Sequence, residues 1–320
     1  MHTEKNSYTL PNLRDFTANL HGKIIFTTLD LCKVYLQVPM SKCSKLKTAI
    51  VTSFGMSMFL RMPFGVMNAR STFQRLLDEV LAGLPYVFCY LDDILIASSC
   101  LQEHEENVRT VLQRLRQAGL SINPKKCQWF QLEVSYLGHK VNSSGIFPLQ
   151  RNADAIKQFT APNDKQSLLK FLGLINFYRP FIPAAADTIR PLTAMTSPKV
   201  KFQWSADCEA AFLLIKDKLA AASALSHPDP TAPLRLTSDA SDVAAGASLD
   251  QLTNGVWTPL GFFSTHFNPA QVRYSTFDRE LTSLFLAVRY WRHMLDGNKF
   301  QARTDHKHSC PADGRLYGDC

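Results

Sequence analysis

The stretch Tyr86-Val-Phe-Cys-Tyr-Leu-Asp92-Asp93-Ile-Leu-Ile-Ala97 sets two adjacent carboxylates between two apolar runs. Both runs are short and rich in β-branched and aromatic side chains, the composition of strands. The pattern predicts a buried hairpin with its turn at Asp92-Asp93. Charge beside buried strands is costly unless a cation or partner compensates it. Magnesium ions would compensate, because hard cations take carboxylate oxygens. Aspartate is equally at home in tight turns. On this stretch alone the metal-site and turn-chemistry readings stand level.

Outward from this hairpin, the first half alternates strands and helices. Residues 24–30 alternate in strand fashion and end on Asp30. Residues 48–53 and 57–62 flank Gly55 and read as a second hairpin. Residues 71–83 put Phe73, Leu76, Leu77, Val80 and Leu81 on one helical stripe, stopped by Gly83 and Pro85. Residues 102–118 form another helix, with Val108, Leu112 and Leu115 inward. Residues 135–141 read as a short strand, and Gly145 as a turn. The middle is helical: residues 167–178, then a helix capped by Ser205 and running to about residue 221. Three prolines within residues 227–233 suggest a linker. Beyond it, residues 234–239 and 300–305 read as strands ending in Asp239 and Asp305, with a strand at 256–264. A helix at 275–291 carries Ser275 at its start.

The totals agree with a folded, two-domain chain. Hydrophobic residues make up 46% of the 320 and charged residues 19%, proportions that argue against disorder. Thirty-five Lys and Arg against 27 Asp and Glu leave a net charge of +8, which suits a polyanionic partner such as nucleic acid. Eight cysteines contain no C-x-x-C pair, so zinc-finger spacing is missing and a reducing, intracellular setting is expected. The N-terminus has no apolar signal core and no run is long enough to cross a bilayer, so no membrane partner is expected.

Glu280 stands out among the second-half carboxylates. Phe277, Leu281, Leu284, Val288 and Trp291 are expected to form the buried stripe of its helix, and Glu280 falls on that stripe. A lone Glu there would most simply reach solvent along its methylenes. Two strand-terminal aspartates in the same domain, Asp239 and Asp305, shift the balance toward a metal cluster.

The chain closely resembles the reverse transcriptase and ribonuclease H region of LTR-retrotransposon polyproteins of the Ty3/gypsy type. The resemblance rests on Tyr8-Thr-Leu-Pro11, Leu29-Asp30-Leu31, Met62-Pro-Phe-Gly-Val-Met-Asn-Ala69, Thr72-Phe-Gln74, Tyr90-Leu-Asp-Asp93, Asn123-Pro-Lys-Lys-Cys127, Tyr136-Leu-Gly-His139, Ser238-Asp-Ala-Ser-Asp242 and Arg303-Thr-Asp-His-Lys307, in family order. It implies a mixed α+β and α/β architecture. A palm with partial fingers would span residues 1–145 and a helical thumb or connection 146–230. An incomplete ribonuclease H-like domain would span 231–320.

The resemblance also implies roles. Asp30, Asp92 and Asp93 would hold two Mg²⁺ for nucleotidyl transfer, with Mn²⁺ as an alternative, and Asp92 is expected to be the better ligand of the adjacent pair. Tyr35 would be the aromatic gate against a ribose 2′-hydroxyl, Phe64 and Gly65 would lie against the incoming nucleotide and template, and Lys126 would sit near the triphosphate. Tyr136, Leu137 and Gly138 would support the primer end. Asp239, Glu280 and Asp305 would bind the metals of ribonuclease H. Implied partners are an RNA template, a DNA primer, an RNA–DNA hybrid and deoxynucleoside triphosphates. The implied setting is the cytoplasm, a retrotransposon particle or the nucleus.

Two departures shape the expectation for this chain. Only seven residues precede Tyr8, where the family carries a basic, aromatic fingers segment that clamps the triphosphate. After Lys307 the sequence departs from the family. A polymerase fragment with a weak or inactive ribonuclease H is therefore expected, against the rival of a non-catalytic nucleic-acid-binding remnant.

Overall fold

Alternation in residues 24–30 produces β1 (Ile25–Asp30), a central strand of the first unit. The computed structural model describes residues 8–11, 15–17 and 19–304. The chain divides into two units, Met1–Leu149 and Gln150–Cys320.

In the first unit β1 is followed by the short helix α1 (Lys42–Leu46) and the hairpin β2 (Ile50–Thr52) and β3 (Gly55–Ser57). Next come α2 (Ala69–Val80), β4 (Val87–Tyr90), β5 (Asp93–Ser98), α3 (Leu101–Gln117) and β6 (Gln128–Gln131). A meander of β7 (Glu133–Tyr136), β8 (His139–Asn142) and β9 (Gly145–Pro148) closes the unit. The main sheet has the order β4-β5-β1-β6. Its helix-packed face joins Leu29, Ile94 and Ile96 to Phe73 and Leu77 of α2 and to Val111 and Leu115 of α3. Burying each such side chain contributes about 1.5–3 kcal/mol. Beneath β1, buried His104 of α3 bridges the Thr27 hydroxyl (2.7 Å) and the Ser98 hydroxyl (2.8 Å).

Three expectations change here. The turn of the carboxylate hairpin is Leu91-Asp92, one residue earlier than expected, because Leu91 takes a left-handed backbone (φ 53°) and Asp93 already pairs in β5. Residues 135–141 are not one strand. Leu137 and Gly138, both at positive φ, turn the chain tightly between β7 and β8. The second hairpin is shorter than expected and fully exposed.

The second unit begins with α4 (Gln150–Lys157), α5 (Lys165–Phe177), α6 (Ala185–Ala194) and α7 (Ala206–Ala220). Asp164 and Ser205 cap α5 and α7 by accepting N–H bonds from Ser167 and Cys208. The sheet strands β10 (Leu234–Ala240), β11 (Ala244–Thr253) and β12 (Val256–His266) precede α8 (Thr276–Tyr290), α9 (Arg292–Leu295) and β13 (Phe300–Thr304). Their order is β12-β11-β10-β13, with β13 parallel to β10. Leu234, Leu236 and Leu249 pack against Ala287, Trp291 and Leu295.

The proline-rich stretch 227–233 is packed rather than free: Gln251 donates to the His227 carbonyl at 2.8 Å. The buried stripe of α8 also differs from expectation. It is Glu280, Ser283 and Ala287, whereas Phe277 and Leu281 are exposed. Small side chains face β10 and β11 because the helix lies close to them. Among the described residues no helix is long and apolar enough to cross a membrane.

Candidate active site

In the β1–β5 ladder Asp30 is the direct antiparallel partner of Asp93. Directly paired residues project to the same face, with Cα atoms about 4.5–5.5 Å apart. Both aspartates therefore leave the sheet on the face opposite α2 and α3. Asp92 stands at the exposed tip of the turn. The tip is fixed to the neighbouring strand, since Leu31 N–H donates to the Asp92 carbonyl at 3.3 Å.

The three carboxylates share one electrostatic environment. Partial burial, followed by the negative charges of Asp92 and Asp30, lifts the Asp93 carboxyl to about 6. The Lys126 ammonium opposes that lift and lies 3.6 Å from Oδ2 of Asp30. Lys126 reaches this place because Asn123 N–H donates to the Asp30 carbonyl at 2.8 Å, anchoring its loop. Gln37 ties the same loop down: its amide accepts from Ser121 N–H at 2.6 Å and donates to the Ser121 carbonyl at 3.1 Å.

An all-carboxylate donor set with excess negative charge fits a divalent, oxygen-seeking cation. Among the described residues no three His, Cys, Asp or Glu side chains close around a common point, so the set is open rather than a finished cage.

Tyr35 sits on a 3₁₀ turn, Val34–Gln37, with its ring held edge-on between Phe64 (5.6 Å) and Phe73 (6.0 Å). Gly65 follows Phe64 at φ +84°, a conformation that L side chains rarely adopt. Phe64 and Gly65 also line a cavity of about 880 Å³ with Met40, Thr48, Asn68 and Arg75. Asp30, Asp92 and Asp93 do not line it.

Tyr136 connects the meander to the carboxylates. Its buried hydroxyl lies 3.1 Å from the Asp93 carbonyl, to which it donates. Its ring packs edge-on against Phe16 and Phe88. Burial raises its phenol well above the usual range, so the hydroxyl stays a donor. Leu137 and Gly138 form the adjacent turn.

In the second unit, Asp239 is exposed near the end of β10 and Glu280 is buried on α8. Oε1 of Glu280 accepts the Ala240 N–H at 3.3 Å, and the Ser283 hydroxyl donates toward the Asp239 carbonyl at 2.9 Å. These two bonds pin α8 to the strand end that carries Asp239. β13 ends at Thr304, paired with Ser238. Asp305 lies outside the described residues.

Sequence reading passed over one buried polar side chain, Gln74 of α2, which bonds Leu91 and Cys89 on both sides of Tyr90. The available signal was a polar residue between Phe73 and Leu77 on an apolar stripe, the pattern that drew attention to Glu280.

Residues 1–141 match the family described as reverse transcriptase (RNA-dependent DNA polymerase). Residues 204–302 match the RNase H-like domain found in reverse transcriptase. Among curated proteins, the Tf2-3 and Tf2-7 transposon polyproteins of Schizosaccharomyces pombe are 34% and 33% identical over 311 residues, 96% of this chain. The chain spans 23% of the length of either polyprotein. Among solved structures, the foamy viral protease-reverse transcriptase in complex with RNA/DNA hybrid matches with TM-score 0.83 and 22% identity, covering 94% of this chain and 41% of that one. The dRH form in complex with double-stranded DNA matches with TM-score 0.86 and 22% identity, covering 98% and 56%. At this identity the two structures show a shared fold.

Proposed function

The chain belongs to the reverse transcriptase and ribonuclease H region of Ty3/gypsy-type LTR-retrotransposon polyproteins, and on that premise we propose that it acts as an RNA-directed DNA polymerase with an attached ribonuclease H domain. One observation carries the reading: Asp30 and Asp93 are cross-strand partners on one open face, with Asp92 at the adjoining turn tip. The substrates are a DNA primer, an RNA template and deoxynucleoside triphosphates. Foamy viral relatives of this fold are described in complex with RNA/DNA hybrid and double-stranded DNA, in keeping with those partners.

Asp30, Asp92 and Asp93 would hold a pair of Mg²⁺ ions, whose chemistry is to acidify the primer 3′-hydroxyl and to offset charge on the α-phosphate and the leaving pyrophosphate. A bond forms between the 3′-oxygen and the α-phosphorus, the hydroxyl proton passing to solvent, as the bond from that phosphorus to the oxygen it shares with the β-phosphate breaks. Lys126, beside Asp30, carries the proton suited to the departing pyrophosphate. Tyr35, wedged between two rings, presents an unyielding wall to a sugar 2′-hydroxyl. Tyr136 steadies the Asp93 backbone from the primer-supporting meander. In the second unit, Asp239, Glu280 and Asp305 would bind the metals for cleavage of RNA in a hybrid, which is recognised through its shape and 2′-hydroxyls. Such a chain works in the cytoplasm, in a retrotransposon particle or in the nucleus.

The test is primer extension on an RNA template with Mg²⁺, comparing the chain with Asp30→Asn, Asp92→Asn and Asp93→Asn. Each is expected to lose roughly 10²–10³-fold in rate while still binding primer-template. Equal extension by all four proteins refutes the reading. Binding that weakens steeply with salt, ignores Mg²⁺ and supports no extension identifies a non-catalytic nucleic-acid binder instead.

A further inference from the structure

Gln74 is fully buried on α2. A primary amide offers one acceptor oxygen and two N–H donors, and burial obliges them to find partners. Each of its hydrogen bonds fixes something specific. Oε1 accepts the Leu91 N–H at 2.7 Å. Nε2 donates to the Cys89 carbonyl at 3.1 Å and to Oδ1 of Asp78 at 2.9 Å. One side chain thus grips the hairpin on both sides of Tyr90, immediately ahead of Asp92.

The grip is directional. With the amide turned over, its oxygen would face the Cys89 carbonyl and the Asp78 carboxylate, and its NH₂ would face the Leu91 N–H. Two acceptor pairs and one donor pair would then be opposed. Asp78 therefore reinforces the orientation that the Leu91 N–H and the Cys89 carbonyl already require, and the Tyr8 hydroxyl in turn donates to Asp78. Leu91 needs such an anchor, because a left-handed backbone is disfavoured for a residue with a branched side chain.

We propose that Gln74, its orientation reinforced by Asp78, is a positioning residue that holds the Leu91-Asp92 turn, so that Asp93 enters β5 opposite Asp30. A relaxed turn that slipped the register by one residue would send Asp93 to the helix-packed face and Ile94 to the open one. The metal-binding consequence rests on the polymerase reading; the register consequence does not.

Two measurements on the full chain test it. The first is the cross-strand proton contact between Asp30 and Asp93, seen by NMR without metal. The second is the Mn²⁺ dissociation constant, read by electron paramagnetic resonance. In Gln74→Met, which matches the shape but not the hydrogen bonds, the contact is expected to vanish and the dissociation constant to rise at least tenfold. Leu77→Ala, a core change on the same helix, lowers the melting temperature but should keep both readouts. A folded Gln74→Met chain with the contact and the Mn²⁺ affinity of the original overturns the proposal.

If Gln74→Met does not fold, Gln74→Asn decides, since its amide is one methylene too short to reach the Leu91 N–H and the Cys89 carbonyl together. A weakened contact with a several-fold loss of Mn²⁺ affinity supports the role, and unchanged values overturn it. A starting chain whose contact depends on Gln74 but which binds no Mn²⁺ supports the register role and refutes the polymerase reading instead.

Discussion

Asp30 and Asp93 face each other across the β1–β5 ladder, and no other pairing in that sheet opposes two carboxylates. The arrangement is electrostatically unfavourable without a cation. Burial, and after it the charges of Asp92 and Asp30, lift the Asp93 carboxyl to about 6 against an ordinary 3.8. Folding therefore favours the protonated acid. Between pH 3.8 and 6 the native state binds more protons than the unfolded one, so this group's contribution to stability declines as pH rises. Asp93→Asn should accordingly raise the metal-free melting temperature at pH 7.5 and leave it nearly unchanged at pH 4. Adding Mg²⁺ should stabilise the original chain and not the variant. Calorimetry at the two pH values checks both statements.

His104 predicts the opposite slope. Burial lowers its pKa, so it is neutral between the Thr27 and Ser98 hydroxyls. Below about pH 6.5 the unfolded chain takes up a proton that the folded chain resists, and stability is lost as pH falls. His104→Gln should flatten the decline in melting temperature between pH 7 and 5, at some loss of stability at pH 7. Denaturant melts across that range measure it.

Tyr35 is restrained by Phe64 and Phe73 rather than by a hydrogen bond in the described contacts. Shortening it to Val removes the wall and leaves the ladder intact. Tyr35→Val should raise ribonucleotide use relative to deoxynucleotide use by about 10- to 100-fold, the scale of a steric pocket's discrimination. Single-nucleotide extension with paired substrates gives the ratio.

Lys126→Met should slow extension by roughly 10²-fold with primer-template affinity retained, as expected for loss of a proton donor. It should also push the Asp93 titration upward, because a cation opposing that lift is gone. Carbon-13 NMR of the aspartate carboxyls reads the second effect.

Glu280 separates architecture from chemistry in the second unit. Glu280→Ala removes the acceptor for the Ala240 N–H beside a buried helix face and should cost about 1–3 kcal/mol. Glu280→Gln keeps an acceptor and should cost much less, yet whatever hybrid cleavage the chain supports should fall as far as in Glu280→Ala. Urea unfolding paired with a cleavage assay distinguishes the two.

Much of this was legible in the residues themselves. Strand-forming runs around Asp92-Asp93 announced the hairpin, and Ser205 and Ser275 announced their helices as caps. The turn was displaced by one residue because Leu91, a poor candidate for positive φ, is held there by a side chain from α2, which local propensity cannot register. The stripe of α8 was rotated because apolar periodicity favours Phe277 and Leu281, while the sheet accepts the small Ser283 and Ala287. β11 went unnoticed since Ala244-Ala-Gly-Ala-Ser carries none of the branched or aromatic side chains that mark strands. Gln74 lies in the Thr72-Phe-Gln74 motif, but the partners that give it meaning are non-local.

The ladder has a further consequence during synthesis. β1 pairs with β5 and β6 and not with its sequence neighbours β2 and β3, so Asp30 leaves the ribosome long before its partner strand exists. At about 5–20 residues per second, that interval lasts on the order of several seconds. A translation product interrupted inside it carries Asp30 but has no paired carboxylate. The carboxylate pair therefore forms in a single late step, when β5 zips into place against β1, and chains terminated before β5 lack it.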